Sequence, residues 1–269
     1  MKKIIFYILL IAGALIFLYP FIWMLFASLS PENEIGGLTF LPTHLTLGSY
    51  RQMIAKIPIT RSFINSVFVS AMVTLGVLVF GSMVGYALSR LEFKGRNLLF
   101  FIIIFTMTLP FQITLIPQYI LMVKFGWVDT YLALIVPYLM SALGIILFRQ
   151  YFKGIPQDLI DAARIDGCGE LRIIFRILWP NSIPALVTVG IITFMTTWNE
   201  VLWPLIVIRN DKMMTMPQLV TLFAVGGAAD SQLGVKLAAA TFLALPIIIA
   251  YLFFQKYFIQ SMASTGIKE

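Results

Sequence analysis

Six long apolar stretches constrain what this chain can fold into more than any other feature of its sequence. A bilayer core about 30 Å thick is crossed by a helix of about 20 apolar residues, and each stretch is long enough. Only 12% of the residues are charged and 60% are hydrophobic, which leaves too little polar surface for an ordinary soluble domain. Alternating barrel strands of about ten residues are absent. The sequence predicts an all-α polytopic membrane protein, a single transmembrane domain over residues 1–269 with spans at about 4–27, 65–87, 98–121, 131–149, 183–207 and 236–258.

The first span begins directly after Lys2 and Lys3, as a secretory signal does. Cleavable signals carry an apolar run of about 7–15 residues, and this run is longer. We therefore expect a retained signal-anchor helix, with cleavage after Ala27 as the alternative. The single cysteine, Cys168, excludes an intramolecular disulfide and a cysteine-rich metal site, and we expect it to fill a slot for a small residue.

Positive charge predicts the orientation, because loops rich in Lys and Arg stay in the cytoplasm. With the N-terminus in the cytoplasm, six spans return the C-terminus there. The inner segments then hold 12 of the 19 Lys and Arg residues, and the outer segments hold 7. We predict cytoplasmic termini and a cytoplasmic polar loop at 150–182. The formal net charge of +7 then reflects topology and not nucleic-acid binding.

The predicted spans contain little that could drive transport or catalysis. Their only carboxylate well inside is Glu200, whereas ion-coupled transporters and pumps keep ionisable ligands in the membrane. No Gly-Lys-Ser/Thr sequence is present for binding ATP through a P-loop. The only histidine, His44, lies in an external loop, so no histidine–carboxylate cluster can form. We predict a protein that is not an enzyme, has no cofactor and no metal of its own, and receives energy from another subunit.

The polar loop at 150–182 has the pattern of two helices joined by a bend. Pro156 suits the first turn of a helix, where its missing N–H is no loss, and Asp158 places negative charge at the positive end of the helix dipole. Gly167 then ends the first helix, because glycine accepts the left-handed backbone conformation. A second amphipathic helix is predicted over residues 169–179.

Two interpretations of this loop follow from its pattern. An amphipathic hairpin could lie among lipid headgroups with its arginines on phosphates. Against this, the first helix is acidic at Asp158, Asp161 and Asp166, which disfavours an anionic leaflet. The adjacent Ala162 and Ala163 offer a small flat patch for close helix packing. We favour a short rigid helix that enters a socket on another protein.

Residues 161–180 resemble the EAA loop of ABC importer permease subunits. That pattern is Glu-Ala-Ala, three residues, Gly, nine residues, Ile, one residue, Leu-Pro. The residues that match it are Asp161, Ala162, Ala163, Gly167, Ile177 and Pro180. Asp161 replaces the usual Glu, and Trp179 replaces the usual Leu, without changing the spacing. The loop is therefore identified as an EAA-type loop.

The resemblance implies the fold of a type I ABC importer permease, with residues 155–180 as the element that couples the pore to ATP hydrolysis. The implied partners are a cytoplasmic ATP-binding cassette ATPase dimer, which binds the ATP, a second homologous permease subunit and an extracytoplasmic solute-binding protein. The residues implied to contact the ATPase, or to act as the pivot, are Asp158, Asp161, Ala162, Ala163, Asp166 and Gly167. Arg164 can be a contact residue or a solvated one.

Further stretches are similar to the carbohydrate branch of this family, in particular to the second permease subunit of maltose-type importers. They are LPTHLTLGSYRQM (41–53), FINSVFVS (63–70), TLPFQITLIPQY (108–119) and TTWNEVLWPLI (196–206). The tail SMASTGIKE is also similar, with Ser261 and Ser264 where the usual form has glycines. The resemblance implies that a sugar or oligosaccharide is transported across the inner membrane of a bacterial or archaeal cell.

Candidate pore residues are concentrated in the third, fourth and fifth spans. Prolines can kink the third and fourth spans and free carbonyls for a cavity, or bend them for packing. These prolines are Pro110, Pro117 and Pro137. Asn199 and Glu200 can bond sugar hydroxyls, and Trp198 can offer a flat face to a sugar ring. Trp203 is expected in the aromatic belt at the outer interface.

Other functions stay open at this point. A permease for a non-sugar solute such as glycerol phosphate would carry the same loop. An ion-coupled secondary transporter or channel would need ion ligands within its spans, and a non-transporting membrane scaffold would match the loop spacing by coincidence. Co-purification with an ATPase would separate the importer from the last two.

Overall fold

The computed structural model describes residues 2–35, 43–225 and 232–266, and all regular secondary structure within these ranges is helical. Three helices are long and apolar enough to cross a membrane, and the number rises to six if each of three bent helix pairs is one span. The chain is thus a multi-pass membrane protein. Residues 41–42 and 267–269, which belong to two of the stretches compared above, lie outside the described residues.

The first part of the chain contains two of the unbroken spans. α1 (Lys2–Ser28) is exposed along its apolar length, as suits contact with lipid. A short 3-10 turn (Glu32–Glu34) and α2 (Gly48–Lys56) lie between it and α3 (Ile59–Arg90). At 1.5 Å per residue, the 32 residues of α3 extend over about 48 Å. α3 is therefore longer than the hydrocarbon core that it crosses.

The third predicted span is sharply bent. α4 (Arg96–Thr106) and α5 (Phe111–Lys124) meet at 101°, and Pro110 directly precedes α5. The ring of Pro110 disfavours helical backbone at Leu109, so no helix continues through this position into α5. Pro117 instead lies inside α5, which continues through it. Hydropathy predicts the apolar length of this segment, but not its near right angle.

The fourth predicted span is broken more gently. α6 (Tyr131–Ile135) continues into a 3-10 turn (Val136–Tyr138) that contains Pro137, and α7 (Ala142–Lys153) follows at 41°. The hydroxyl oxygen of Ser141 accepts the amide of the third residue along, which caps α7. The break at 139–141 therefore ends at a capped helix start.

The polar loop folds into the two predicted short helices. α8 (Gln157–Ile165) is the first, and the second begins as α9 (Glu170–Ile173). It continues through a five-residue π turn (Ile174–Leu178) into α10 (Trp179–Asn181). Its end therefore lies two residues beyond the predicted one. Pro180 is accommodated because it lies in the first turn of α10.

The fifth predicted span, 183–207, is interrupted. α11 (Ile183–Trp198) follows the polar loop at a bend of 91°. The helix then stops, and α12 (Leu202–Val207) begins after a break at 199–201. A single continuous helix over 183–207 was the expectation, so the break is a correction. The Asn-Glu pair of the sequence lies in this break.

The last helices are α13 (Met216–Val225) and the unbroken α14 (Leu233–Gly266). The chain divides into two compact units, and the single transmembrane domain stays a prediction. They are Met1–Phe63 with Thr215–Ile248, and Ile64–Met214 with Ile249–Glu269. The second unit contains the polar loop and the breaks of the third to fifth spans. Its largest fully buried side chains include Tyr86, Leu88, Phe148, Phe152, Trp198 and Trp203.

Within this second unit, α3 and α7 approach closely at a glycine. A Cβ added at Gly85 would lie 2.7 Å from the Cβ of Phe148 and 3.0 Å from the backbone nitrogen of Arg149. One turn earlier, a Cβ at Gly81 would meet Phe148 at an ordinary 3.5 Å. Small residues of this kind let two membrane helices pack backbone to backbone. Gly85 therefore fixes the spacing of α3 and α7.

We expect Gly85→Ala to destabilise the protein by about 1–3 kcal/mol, the usual effect of inserting a methyl group into a filled core. Gly81→Ala is the matched control and should be neutral within about 0.5 kcal/mol. The measurement is thermal unfolding of the purified chain in detergent. Equal midpoints for the two variants would show that the α3–α7 spacing does not depend on Gly85.

Candidate functional site

α8 has one buried and one exposed face. Ile160 is fully buried, and Ala163 is 5% exposed. The other face is exposed and is formed by Asp158, Leu159, Asp161, Ala162 and Ile165, with Asp166 directly after the helix. Ile165 is 87% exposed, which is unusual for a large apolar side chain in a polar loop. The exposed face therefore combines an apolar strip with three carboxylates.

The structure differs from the prediction at Ala163. Successive residues of a helix point about 100° apart, so Ala162 and Ala163 cannot share a face. Ala163 lies on the buried side with Ile160 and is not available to a partner. Leu159 and Ile165, three residues before and after Ala162, complete the exposed apolar strip instead. A helical projection of the sequence would have found these two residues.

Gly167 ends α8 as predicted. Its φ of +75° lies in the left-handed region, and its amide donates to Arg164 O at 3.0 Å. The next amide, that of Cys168, donates to Ala163 O at 2.9 Å. These two bonds form a Schellman motif, which satisfies carbonyls at the end of a helix. The loop can therefore reverse direction after α8 without leaving these carbonyls unpaired.

Arg164 joins the two helices of the polar loop. Its Nη1 lies 3.5 Å from the carboxylate of Asp161, and its Nε donates to Glu170 Oε1 at 3.2 Å. Partial burial would raise the pKa of Glu170, but hydrogen bonds from Tyr86 and Arg164 outweigh burial and lower it. The bond with Glu170 likewise raises the pKa of Arg164. The sequence alone did not decide whether Arg164 contacts a partner or is solvated. In the structure it connects the two helices of the polar loop.

Trp198 and Trp203 are both buried, although the sequence predicts exposed positions for them. Trp198, expected to stack on a sugar ring, is fully buried and stacks on Phe194 with ring centroids 5.9 Å apart. Trp203, expected in the aromatic belt, is also fully buried, and its indole nitrogen donates to Ala133 O at 2.8 Å. Both predictions are wrong, because neither side chain has exposed surface to offer a sugar ring or the membrane interface.

The other two predicted pore residues lie in this break. The Asn199 amide is exposed and donates to Met195 O at 2.9 Å, which caps the end of α11. Glu200 is half-buried, and its Oε1 accepts the backbone amide of Trp203 at 3.1 Å. That bond satisfies an amide in the first turn of α12. Glu200 thus stabilises the break and also borders a cavity.

We call this space the polar cleft. Its smaller part, about 80 Å³, is lined by Tyr138, Thr196, Thr197 and Glu200. The first three also line an adjoining part of about 220 Å³, where Ser141 and Thr193 lie among mainly apolar side chains such as Val77, Leu147 and Val189. The hydroxyl of Tyr138 is buried there and has no hydrogen-bond partner among the described residues. Since irregular backbone at membrane depth is tolerated where it lines a cavity, the breaks at 139–141 and 199–201 are consistent with a cleft between them.

The segment that carries both α8 and the polar cleft matches a known family. Residues 77–264 match the family described as binding-protein-dependent transport system inner membrane component. The chain belongs to this family. The match to this transport family covers α4 to α13 completely, so it contains the whole polar loop and both borders of the cleft.

Members of the transport family are similar to this chain over nearly its whole length. The arabinooligosaccharides transport system permease protein AraQ of Halalkalibacterium halodurans is 37% identical over 95% of this chain and 92% of the relative. The trehalose/maltose transport system permease protein MalG of Thermococcus litoralis is 32% identical over 100% of this chain and 98% of the relative. The resemblance to ABC importer permeases, inferred from the EAA-type loop, and to their carbohydrate branch, inferred from the further stretches, is confirmed.

A solved structure gives the same fold. It is a bacterial ABC transporter involved in the import of the acidic polysaccharide alginate. The TM-score is 0.83 with 28% sequence identity, and the alignment covers 96% of each chain. The predicted all-α fold of an ABC importer permease is therefore confirmed.

Proposed function

We propose that this chain is a permease subunit of an ATP-driven, binding-protein-dependent importer of sugars or oligosaccharides. The observation that carries the proposal is the exposed face of α8, where an apolar strip is flanked by carboxylates. Such a face is energetically unfavourable in water and favourable in a socket that offers apolar and basic groups. The relatives named for arabinooligosaccharides and for trehalose and maltose support the sugar class.

The inferred partners follow from what this chain contributes. It forms half of a pore, and a second homologous permease supplies the other half. A cytoplasmic pair of ATP-binding cassette ATPases binds the ATP, and α8 enters a cleft of one of them with Asp158, Asp161, Ala162 and Ile165 at the contact. A solute-binding protein delivers the substrate from outside. Closure of the ATPases then displaces α8 and switches the pore between its inward-facing and outward-facing states.

The polar cleft favours a neutral, hydroxyl-rich solute. The larger part of its lining is mainly apolar, and its polar side chains are one carboxylate and several hydroxyls, with no Lys or Arg. A phosphate-bearing solute such as glycerol phosphate needs a cation or several directed N–H groups. We infer that Glu200, Tyr138 and Thr197 accept and donate hydrogen bonds to sugar hydroxyls, while Asn199 lies beside the cleft.

Uptake by the assembled transporter tests this function. The chain is expressed with its ATPase, second permease and binding protein in cells that lack other sugar importers. Labelled arabino-oligosaccharides, maltose and glycerol 3-phosphate are supplied separately. We expect uptake of a sugar that stops when ATP is depleted and persists in the presence of a protonophore. Uptake that collapses with the protonophore, or that is confined to glycerol 3-phosphate, would contradict the proposal.

We further propose that both termini and the polar loop are cytoplasmic, as the charge distribution favours. Single cysteines at Asp211 and Asp166, two exposed positions, are introduced in a Cys168→Ser background. An impermeant thiol reagent added to intact cells should label Asp211→Cys and should leave Asp166→Cys unlabelled. Permeabilised cells should show labelling at both sites. The opposite pattern in intact cells would reverse the orientation.

A further inference from the structure

The end of α3 carries two side chains that contact opposite ends of α8. Tyr86 and Arg90 are four residues apart, so they project from the same face of α3. Tyr86 is 1% exposed, and its position is therefore fixed by packing. Arg90 reaches the chain before α8, whereas Tyr86 reaches the residues that follow α8. One face of α3 thus contacts the chain at both ends of α8.

Arg90 binds the segment that leads into α8. Its Nε donates to Phe152 O at 3.1 Å, and its Nη1 donates to Gln157 Oε1 at 2.9 Å. Its Nη2 donates to Phe152 O and also to Ile155 O. These two carbonyls lie where α7 ends, and a helix end leaves its last carbonyls without intrahelical donors. The planar fork of a guanidinium suits several such acceptors at once, which an ammonium does not.

Tyr86 binds the segment that leaves α8. Its hydroxyl donates to the carboxylate of Glu170 and lies 3.2 Å from Nη2 of Arg164. Glu170 in turn accepts from Arg164 Nε, so one carboxylate, one phenol and one guanidinium form a compact group. Glu170 begins α9, and Arg164 lies in the last turn of α8. This group therefore joins three helices: α3, α8 and α9.

The two contacts are connected through α8 itself. Gln157, which accepts from Arg90, donates from Nε2 to Asp161 Oδ1 at 3.0 Å. The same oxygen, Asp161 Oδ1, lies 3.5 Å from Nη1 of Arg164. A continuous series of side-chain contacts thus begins at Arg90 on α3, passes along α8 and ends at Tyr86, which is also on α3. Networks in which every member is bonded rigidify the elements that they join.

We infer that Tyr86 and Arg90 are positioning residues that hold α8 on α3, so that a displacement of α8 moves α3 instead of bending the loop. This inference rests on the proposed function, in which an ATPase displaces α8. The far end of α3 is also attached: Asn65 Nδ2 donates to Lys212 O at 3.1 Å and to Met214 O at 2.9 Å. Motion of the unbroken α3 is therefore delivered to the segment at 212–214.

The first test uses the isolated chain and needs no partner. Amide hydrogen exchange over residues 157–165 is measured in wild type and in a Tyr86→Phe, Arg90→Lys double variant. Both substitutions conserve size, and only the hydroxyl and the guanidinium fork are lost. We expect exchange about tenfold faster in the variant, the order of effect of losing hydrogen bonds to charged groups. Unchanged exchange would show that packing of Ile160 and Ala163 alone holds α8.

The second test measures transmission in the complex with the ATPase. A reporter cysteine at Asp211, in a Cys168→Ser background, is labelled with and without ATP plus vanadate, which traps closed ATPases. Wild type should show a changed labelling rate. The double variant should bind the ATPase and lose at least half of that change, while the control Arg176→Gln, at an exposed arginine of the same loop, should retain it.

The outcomes separate the two proposals. Failure of the wild-type chain to bind any cassette ATPase would contradict the proposed function, and the exchange experiment would still decide whether α3 holds α8. A full ATP response in the double variant, with the ATPase bound, would overturn the transmission role of Tyr86 and Arg90. An equal loss in Arg176→Gln would also overturn it, because the effect would then be one of loop charge.

Discussion

Gly167→Val should abolish transport while leaving membrane insertion intact. Gly167 has a φ of +75°, and a β-branched side chain at positive φ is strained by about 1–3 kcal/mol. A Cβ there would meet no atom within 4 Å, so the effect comes from the backbone and not from a clash. The strain would be relieved by unwinding the Schellman motif, and α8 would lose its direction. Transport and ATPase binding are measured together with the amount of chain in the membrane.

The chain offers a matched control two residues away. Gly169 has an extended backbone with φ −70° and ψ 159°, and a Cβ there also meets nothing within 4 Å. Gly169→Val should therefore transport normally. Gly167→Asn should be intermediate, because asparagine tolerates the left-handed region better than valine. Equal activity of Gly167→Val and Gly169→Val would mean that the bend plays no part in coupling.

Ile165→Asp should give the largest loss of ATPase binding among substitutions in α8. Burying an isoleucine side chain contributes about 1.5–3 kcal/mol, and a buried unpaired carboxylate adds a further penalty. At 1.4 kcal/mol per tenfold, the dissociation constant for the ATPase should rise at least about 10-fold to 100-fold. Ile165→Met, which conserves volume and apolarity, is the control and should bind within about threefold of wild type.

Asp161 provides the comparison that ranks the contributions. If its carboxylate were in a buried charge pair with the ATPase, removing it would cost about 2–5 kcal/mol. However, its Oδ1 already accepts from Gln157 and lies 3.5 Å from Nη1 of Arg164, so its charge is partly compensated within the chain. We therefore expect Asp161→Asn to weaken binding less than Ile165→Asp, and Asp161→Glu to retain it. A larger loss for Asp161→Asn would assign the contact energy to charge and not to the apolar strip.

The sequence predicts the parts of the fold that depend on local pattern. Apolar length predicts where helices can cross the membrane, and Pro156 with Gly167 predicts both ends of α8. These features follow from the backbone chemistry of one residue and its nearest neighbours. The 101° turn before Pro110 and the 91° turn after α10 could not be predicted, because composition carries no information on the direction that a chain takes after a break.

In the candidate site, too, the features that depend on local pattern could be predicted, and those that depend on distant contacts could not. Asp158, Asp161 and Ala162 are exposed on α8 as the EAA-type resemblance suggests, whereas burial of Ala163 follows from helix geometry that a linear motif ignores. The contact of Glu170 with Tyr86 joins residues that are 84 positions apart. No local pattern could indicate it. Burial of Trp198 likewise depends on how the helices pack, which hydropathy does not describe.

The two interruptions beside the polar cleft affect how easily its walls can move. Residues 139–141 separate α7 from the 3-10 turn before it, and residues 199–201 separate α11 from α12. A few residues outside helices can absorb a change of backbone angle as hinges, with the hydrogen bonds of the flanking helices kept intact. A cleft with walls that are jointed in this way can widen and narrow by rotation of short rigid rods. The energy barrier between its two shapes is then set by side-chain repacking, not by the melting of a transmembrane helix.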